Sequence, residues 1–119
     1  MKRFEGTSTS SIEIEVEYSG ANAIVRLKGR IDVDSSPDVR DRLRAILSTD
    51  PLPHAVTADL TAVTSIEASG IATLIEALKV ARHRQIRFNL QGPGSVLQLF
   101  ESTGLLALFD TSSGGKGAS

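Results

Sequence analysis

The sequence predicts a single α/β domain in which helices pack on one face of a mixed sheet. Three observations predict it: two arms of alternating hydrophobicity joined by a tight turn, three segments with helical spacing, and short apolar runs between them. At 119 residues one core is enough, and folding can bury roughly two-thirds of the unfolded surface. Hydrophobic residues make up 40% and charged residues 23%, the balance of an ordinary globular chain.

From Ile12 to Tyr18 apolar side chains alternate with Glu13, Glu15 and Glu17, the pattern of a half-buried strand. Turn chemistry follows at Ser19-Gly20-Ala21-Asn22, and 23–31 forms the second arm, carrying Arg26, Lys28 and Arg30 where they can face the three glutamates. Ser36-Pro37 reads as an N-cap and first helical residue, and Val39, Leu43, Ile46 and Leu47 recur at helical spacing until Asp50-Pro51-Leu52-Pro53. A central strand is expected over 55–60, then a small-residue loop reaching Ser69. Ile71, Leu74, Ile75 and Leu78 define a second helix, with Ala72, Ala77 and Ala81 allowing close approach to the sheet. Ile86, Phe88 and Leu90 alternate as a further strand. Gly92-Pro93-Gly94 then turns into a third helix bearing Val96, Leu97, Leu99 and Phe100, with Gly104 at its C-terminal cap. The order β-β-α-β-α-β-α gives a sheet that is antiparallel at the hairpin and parallel at the crossovers, with one face open to solvent. The segment 105–109 is apolar and must pack on the body. The organisation expected is a flexible segment over 1–11, one domain over 12–110 and a disordered Ser/Gly-rich tail over 111–119.

Composition narrows function. A formal net charge of −1 offers no basic field for nucleic acid. There is no cysteine, so disulfides, thiolate nucleophiles and Cys-ligated zinc are excluded together, and a reducing compartment is consistent with that. No secretory signal or apolar run of about 20 residues is present, so the expected location is cytoplasmic, without membrane insertion. His54 and His83 lack a carboxylate cluster at ligand spacing and read as surface or capping residues, so no metal, cofactor or catalytic residue is expected. Gly114-Gly115-Lys116 has no preceding strand to make a phosphate loop, and Gly92-Pro93-Gly94-Ser95 is read as a turn and cap. Nucleotide binding is disfavoured because neither a glycine-rich phosphate loop nor a basic pocket is legible.

The stretch from Asp59 to Ile71 carries the most information. It places Glu67, Ala68 and Ser69 around the N-terminus of the second helix, where free amides and the helix dipole favour an anion. Physics alone also accommodates a plainer reading, in which Ser69 caps the helix and Gly70 permits close packing. Four pieces, in order, carry a family resemblance. They are Leu27-Lys28-Gly29-Arg30-Ile31-Asp32, Pro37-Asp38-Val39-Arg40-Asp41-Arg42-Leu43, the stretch Asp59-Leu60-Thr61 through Ser69-Gly70-Ile71, and Phe100-Glu101-Ser102-Thr103-Gly104-Leu105-Leu106.

From about Ile12 to Phe109 the chain resembles the STAS family, in particular its anti-sigma-factor antagonists. The resemblance implies a STAS-like α/β fold, a mixed four- to five-stranded sheet with helices packed on one face. It also implies a non-enzymatic role: docking onto a protein partner, an anti-sigma factor that is a serine kinase, through the loop before the second helix. In such antagonists that loop usually reads Asp-Ser-Ser-Gly, its first serine is phosphorylated by the partner, and phosphate breaks the complex. The partner-binding positions implied here are Asp32, Glu67, Ala68, Ser69 and Gly70. This chain departs from the pattern: Glu67 stands at the aspartate, Ala68 at the phosphoacceptor, and only Ser69 and Gly70 match. Three readings follow: a permanently unmodified antagonist, a domain in which Ser69 is the phosphorylation site, or a module of another system such as the cytoplasmic STAS subunit of an ABC transporter. Asp32 and the exposed Arg40, Asp41 and Arg42 also have plain roles, in a turn and on a solvated helix face. The oligomeric state stays open.

Overall fold

The structure is a computed structural model, and it describes residues 11–104 together with the backbone of 110–112. Five strands lie in the order β1-β2-β3-β4-β5. The strands β1 (Ile12–Ser19) and β2 (Asn22–Ile31) form the predicted hairpin, with Ile14 opposite Leu27 and Val16 opposite Val25. After α1 (Ser36–Ile46), β3 (Ala55–Ile66) runs parallel to β2. Helix α2 (Ala68–His83) leads to β4 (Arg87–Gln91), parallel to β3, and α3 (Gly94–Glu101) precedes β5 (Asp110–Ser112), parallel to β4.

The core forms where the inward residues of the sheet meet the helices. Val25, Leu27, Val56, Leu60 and Leu90 pack with Val39, Leu43, Leu74, Leu78 and Phe100, all essentially buried. Burying each such side chain is worth about 1.5–3 kcal/mol, enough collectively to offset chain entropy. The opposite sheet face holds exposed charged groups such as Glu13, Glu15, Arg26 and Lys28. This is the one-sided arrangement that alternation on β1 and β2 implies. Glu13 faces Lys28 and Glu15 faces Arg26, while Glu17 lies opposite Ile24 and reaches Arg26 diagonally at 2.6 Å. Arg30 falls beyond the glutamates and pairs with Asp32 at 3.6 Å.

Several boundaries differ from the sequence expectation. The strand predicted over 55–60 continues to Ile66, because β3 absorbs two register shifts against β2. Asp59 makes the first shift possible: its Oδ1 accepts from the Thr61 amide at 3.0 Å and the Thr61 hydroxyl at 2.6 Å. The extra residues let Leu60 and Val63 both turn inward, a spacing that strict alternation does not recognise. Gly29, opposite the irregular stretch, has φ +112°, and a Cβ there would collide with the Ser11 carbonyl oxygen. The N-cap of α1 is Ser35, one residue earlier than expected, with Ser36 and Pro37 inside the first turn. Ala72, expected against the sheet, is exposed, whereas Ala77 and Ala81 are buried there. Gly104 takes φ +74° just past α3, as a residue closing a helix does. Thr111 and Ser112, expected in the tail, belong to β5. The expectations for 1–10, for the apolar segment 105–109 and for 113–119 lie outside the described residues.

Candidate functional site

At the C-terminal ends of β2 and β3 the chain makes two turns that meet. After Ile31 it enters the Asp32-Val33-Asp34-Ser35 turn and then α1; after Ile66 it passes through Glu67 into α2. The Glu67 amide donates to the Ile31 carbonyl at 2.9 Å, extending the parallel ladder by one bond and fixing both turns side by side.

Asp32 organises the first turn. Its Oδ1 accepts from the Asp34 and Ser35 amides, each at 3.0 Å, and its own amide donates to Ser35 Oγ at 2.9 Å. Ser35 is fully buried, and its hydroxyl donates to the Arg30 carbonyl at 2.8 Å instead of capping α1. The Ser35 amide above all, then the Asp34 amide, the Ser35 hydroxyl and the charge of Arg30, hold the Asp32 carboxyl below the usual carboxylate range against an opposing desolvation effect. Ser36 joins the two turns. Its Oγ donates to the Asp32 carbonyl at 2.6 Å and lies 3.2 Å from Ser69 Oγ.

The second turn presents its residues unequally. Glu67 is the N-cap of α2 in extended conformation, its side chain making no capping bond, so capping by Ser69 does not occur: Ser69 sits one turn position inside the helix. Glu67 and Ala68 are exposed, Ser69 is half-buried against Ser36, and Gly70 is buried. A Cβ on Gly70 would lie 2.5 Å from Ile31 Cγ2 and 2.8 Å from Ile66 Cγ1, so this glycine sets how closely α2 approaches the sheet ends. Thus the residues singled out from sequence do converge, with Asp32 and the 67–70 segment forming one face, but Gly70 contributes from beneath it.

Sequence reasoning missed Val33 and Ser36. Val33 is 68% exposed at the tip of the Asp32 turn, an apolar side chain flanked by acids. A valine standing inside Asp-Val-Asp turn chemistry was the available signal, since nothing in a turn buries it. Ser36 gives no such sign, because its contact with Ser69 spans 33 residues. Among the described residues no group of three or more His, Asp or Glu side chains is placed to hold a metal, and no helix is long and apolar enough to cross a membrane.

The family model described as "Mlab, STAS domain" matches residues 14–109. The chain belongs to the STAS domain family. Among solved structures, this STAS domain is similar to an anti-sigma factor antagonist from Mycobacterium paratuberculosis, with TM-score 0.71 and 23% identity over 85% of each chain. It is also similar to the anti-sigma factor antagonist SpoIIAA in its unphosphorylated form, with TM-score 0.69 and 16% identity over 86% of this chain and 90% of that one. A sulfate transporter family protein from Wolinella succinogenes matches with TM-score 0.63 and 20% identity over 89% of this chain and 85% of that one. At these identities the likeness shows the fold, a SpoIIAA-like α/β arrangement.

Proposed function

We propose that this STAS domain is a non-enzymatic, cytoplasmic regulator of transcription that binds an anti-sigma factor of the serine-kinase type through the face built from Asp32, Val33 and the Glu67 to Ser69 segment. The observation that carries the reading is the convergence of the two turns, bonded through Glu67 and Ile31 and through Ser36, on a fold shared with anti-sigma factor antagonists. A rigid exposed face suits recognition, because little entropy is lost when a partner settles on it. Ala68, the first residue of α2, is fully on that face, so the position expected to carry phosphate is accessible and lacks a hydroxyl. The domain is therefore a constitutive antagonist, bound whenever its partner is present. The test is titration of the purified protein against the serine-kinase anti-sigma factors of its own genome. Saturable binding weakened about tenfold or more by Glu67→Arg supports the proposal, since charge reversal at an interface commonly costs that much. Absence of binding to all of them overturns it.

A second reading, a cytoplasmic STAS subunit of an ABC transporter, is favoured by two observations. The transporter-family structure from Wolinella succinogenes shares the fold, and Ala68 needs no explanation where phosphorylation is not the signal. Co-purification of the tagged protein separates them: recovery of a kinase fits the first reading, and recovery of ATPase and permease subunits the second.

A further inference from the structure

At the other end of the sheet the structure assembles what the sequence did not disclose: a broad open recess of about 1080 Å³ lined by four basic side chains, His54, Arg82, His83 and Arg87. Among the described residues no Asp or Glu lines it. The four come from three places: the residue before β3, the last turn of α2 and the first residue of β4. They are scattered over 34 positions of sequence, which is why no basic pocket is visible there. Parallel pairing brings them together at the N-terminal ends of β3 and β4.

The charge of Arg82 is unmatched among the described residues. Arg26, Arg30, Arg40 and Arg44 each lie within ion-pair distance of a carboxylate, whereas the side chains of Arg82, His54 and His83 have no hydrogen-bond or ion-pair partner among the described residues. The dipole of α2 accounts for Arg82 and His83 in its last turn. Arg87, the first residue of β4, brings a second guanidinium to the same recess from another element. Gln85 also lines the recess, with φ 62°, where the chain leaves the end of α2.

We propose that this recess binds a small phosphorylated molecule with at least two anionic groups. Arginine forks match phosphate oxygens bidentately, and a ligand with two anionic groups can reach both Arg82 and Arg87 while the histidines offer ring N–H donors. The volume exceeds that of one phosphate group. The site is separate from the proposed docking face: β2 alone spans ten residues, about 30 Å, between the two ends.

The test is a titration of the full chain with sodium tripolyphosphate at low salt, followed by backbone amide NMR. Saturable shifts confined to 54–55 and 82–89, with half-saturation below about 1 mM, are expected. Arg82→Gln, an exposed position, should weaken binding about tenfold or more, while Arg44→Gln, remote and paired with Glu76, should titrate as the parent does. No saturation up to about 10 mM overturns the proposal, as does equal binding by Arg82→Gln. A parallel arm uses phosphatidylcholine vesicles containing phosphatidate. Arg82-dependent binding to vesicles without any response to free tripolyphosphate would reassign the recess to a lipid surface and overturn the small-molecule assignment.

Discussion

Gly70→Ala tests how the proposed docking face is built. The added methyl would stand 2.5 Å from Ile31 Cγ2, 2.8 Å from Ile66 Cγ1 and 3.1 Å from Ile31 Cβ, against the ~3.5–4.0 Å at which carbon atoms attract. Relief requires about 1 Å of movement by two side chains at the sheet ends, and overpacking of this kind costs about 1–3 kcal/mol. Alanine recovers up to about 1 kcal/mol of helix propensity, less in a first turn. The net expectation is a loss of about 1–2 kcal/mol, or a fall in melting temperature of about 4–8 °C for a domain of this size. Ile31→Ala removes the nearest contact at its own cavity cost of about 2–5 kcal/mol. In the double variant the two losses should fall short of their sum by about 0.5–3 kcal/mol, because the methyl then enters space that Ile31 vacated. Thermal and urea unfolding of the four proteins measures this. A Gly70→Ala protein as stable as the parent, or strict additivity in the double variant, would refute the close-approach argument.

The Asp32 carboxyl is depressed in the folded state, so its contribution is fully present above the ordinary aspartate range, near pH 4, and is lost as pH falls through the folded value. Asp32→Asn should therefore be less stable than the parent at neutral pH, with the gap closing below about pH 4; urea midpoints across pH check it, and a gap constant with pH would contradict it. Asp59→Ala removes the acceptor for both Thr61 donors and should cost about 1–2 kcal/mol, with Asp59→Asn recovering much of the loss, as measured by urea unfolding. Intact mass of protein from its native cells should show no stoichiometric phosphate; a mainly phosphorylated species at Ser69 would contradict this. Under the proposed function, Ala68→Ser mixed with a serine-kinase anti-sigma factor of its own genome and ATP should gain phosphate at residue 68, seen as a mass increase in the variant alone.

Much of the fold was legible because its signals are local. The hairpin follows from alternation on Ile12 to Tyr18 and the Gly20 turn, and α2 from the spacing of Ile71, Leu74, Ile75 and Leu78. The continuation of β3 was not, because its two register shifts break the period of two that alternation detects: Thr61 and Ala62 are both exposed between buried Leu60 and Val63. The start of α1 was displaced by one residue because Ser35 and Ser36 are equivalent as sequence, and their different acceptors, the Arg30 and Asp32 carbonyls, appear only in the fold. The site residues Asp32 and Glu67 to Gly70 came from family resemblance. Their convergence is a tertiary fact, carried by the Glu67 to Ile31 bond across 36 positions. The basic recess illustrates the same limit, since each contributor alone is an ordinary surface residue.

The two serines and one alanine around α2 bear on how this domain differs from a phosphorylated switch. A phosphate is useful as a switch where its oxygens can reach both a partner and the transferring enzyme, which requires an exposed hydroxyl at the start of the helix. Residue 68 has that exposure without the hydroxyl; residue 69 has the hydroxyl, but half-buried and 3.2 Å from Ser36 Oγ, whose own proton is engaged by the Asp32 carbonyl at 2.6 Å. Phosphorylating Ser69 in place would put a dianion near a turn whose Asp32 is itself ionised and already paired with Arg30, a like-charge approach. The first turn of α2 would have to open for the modification to fit. Geometry thus separates access from acceptor, and under the proposed function such a domain would control its partner through its own abundance, or through what binds elsewhere on it, instead of through charge added at this helix.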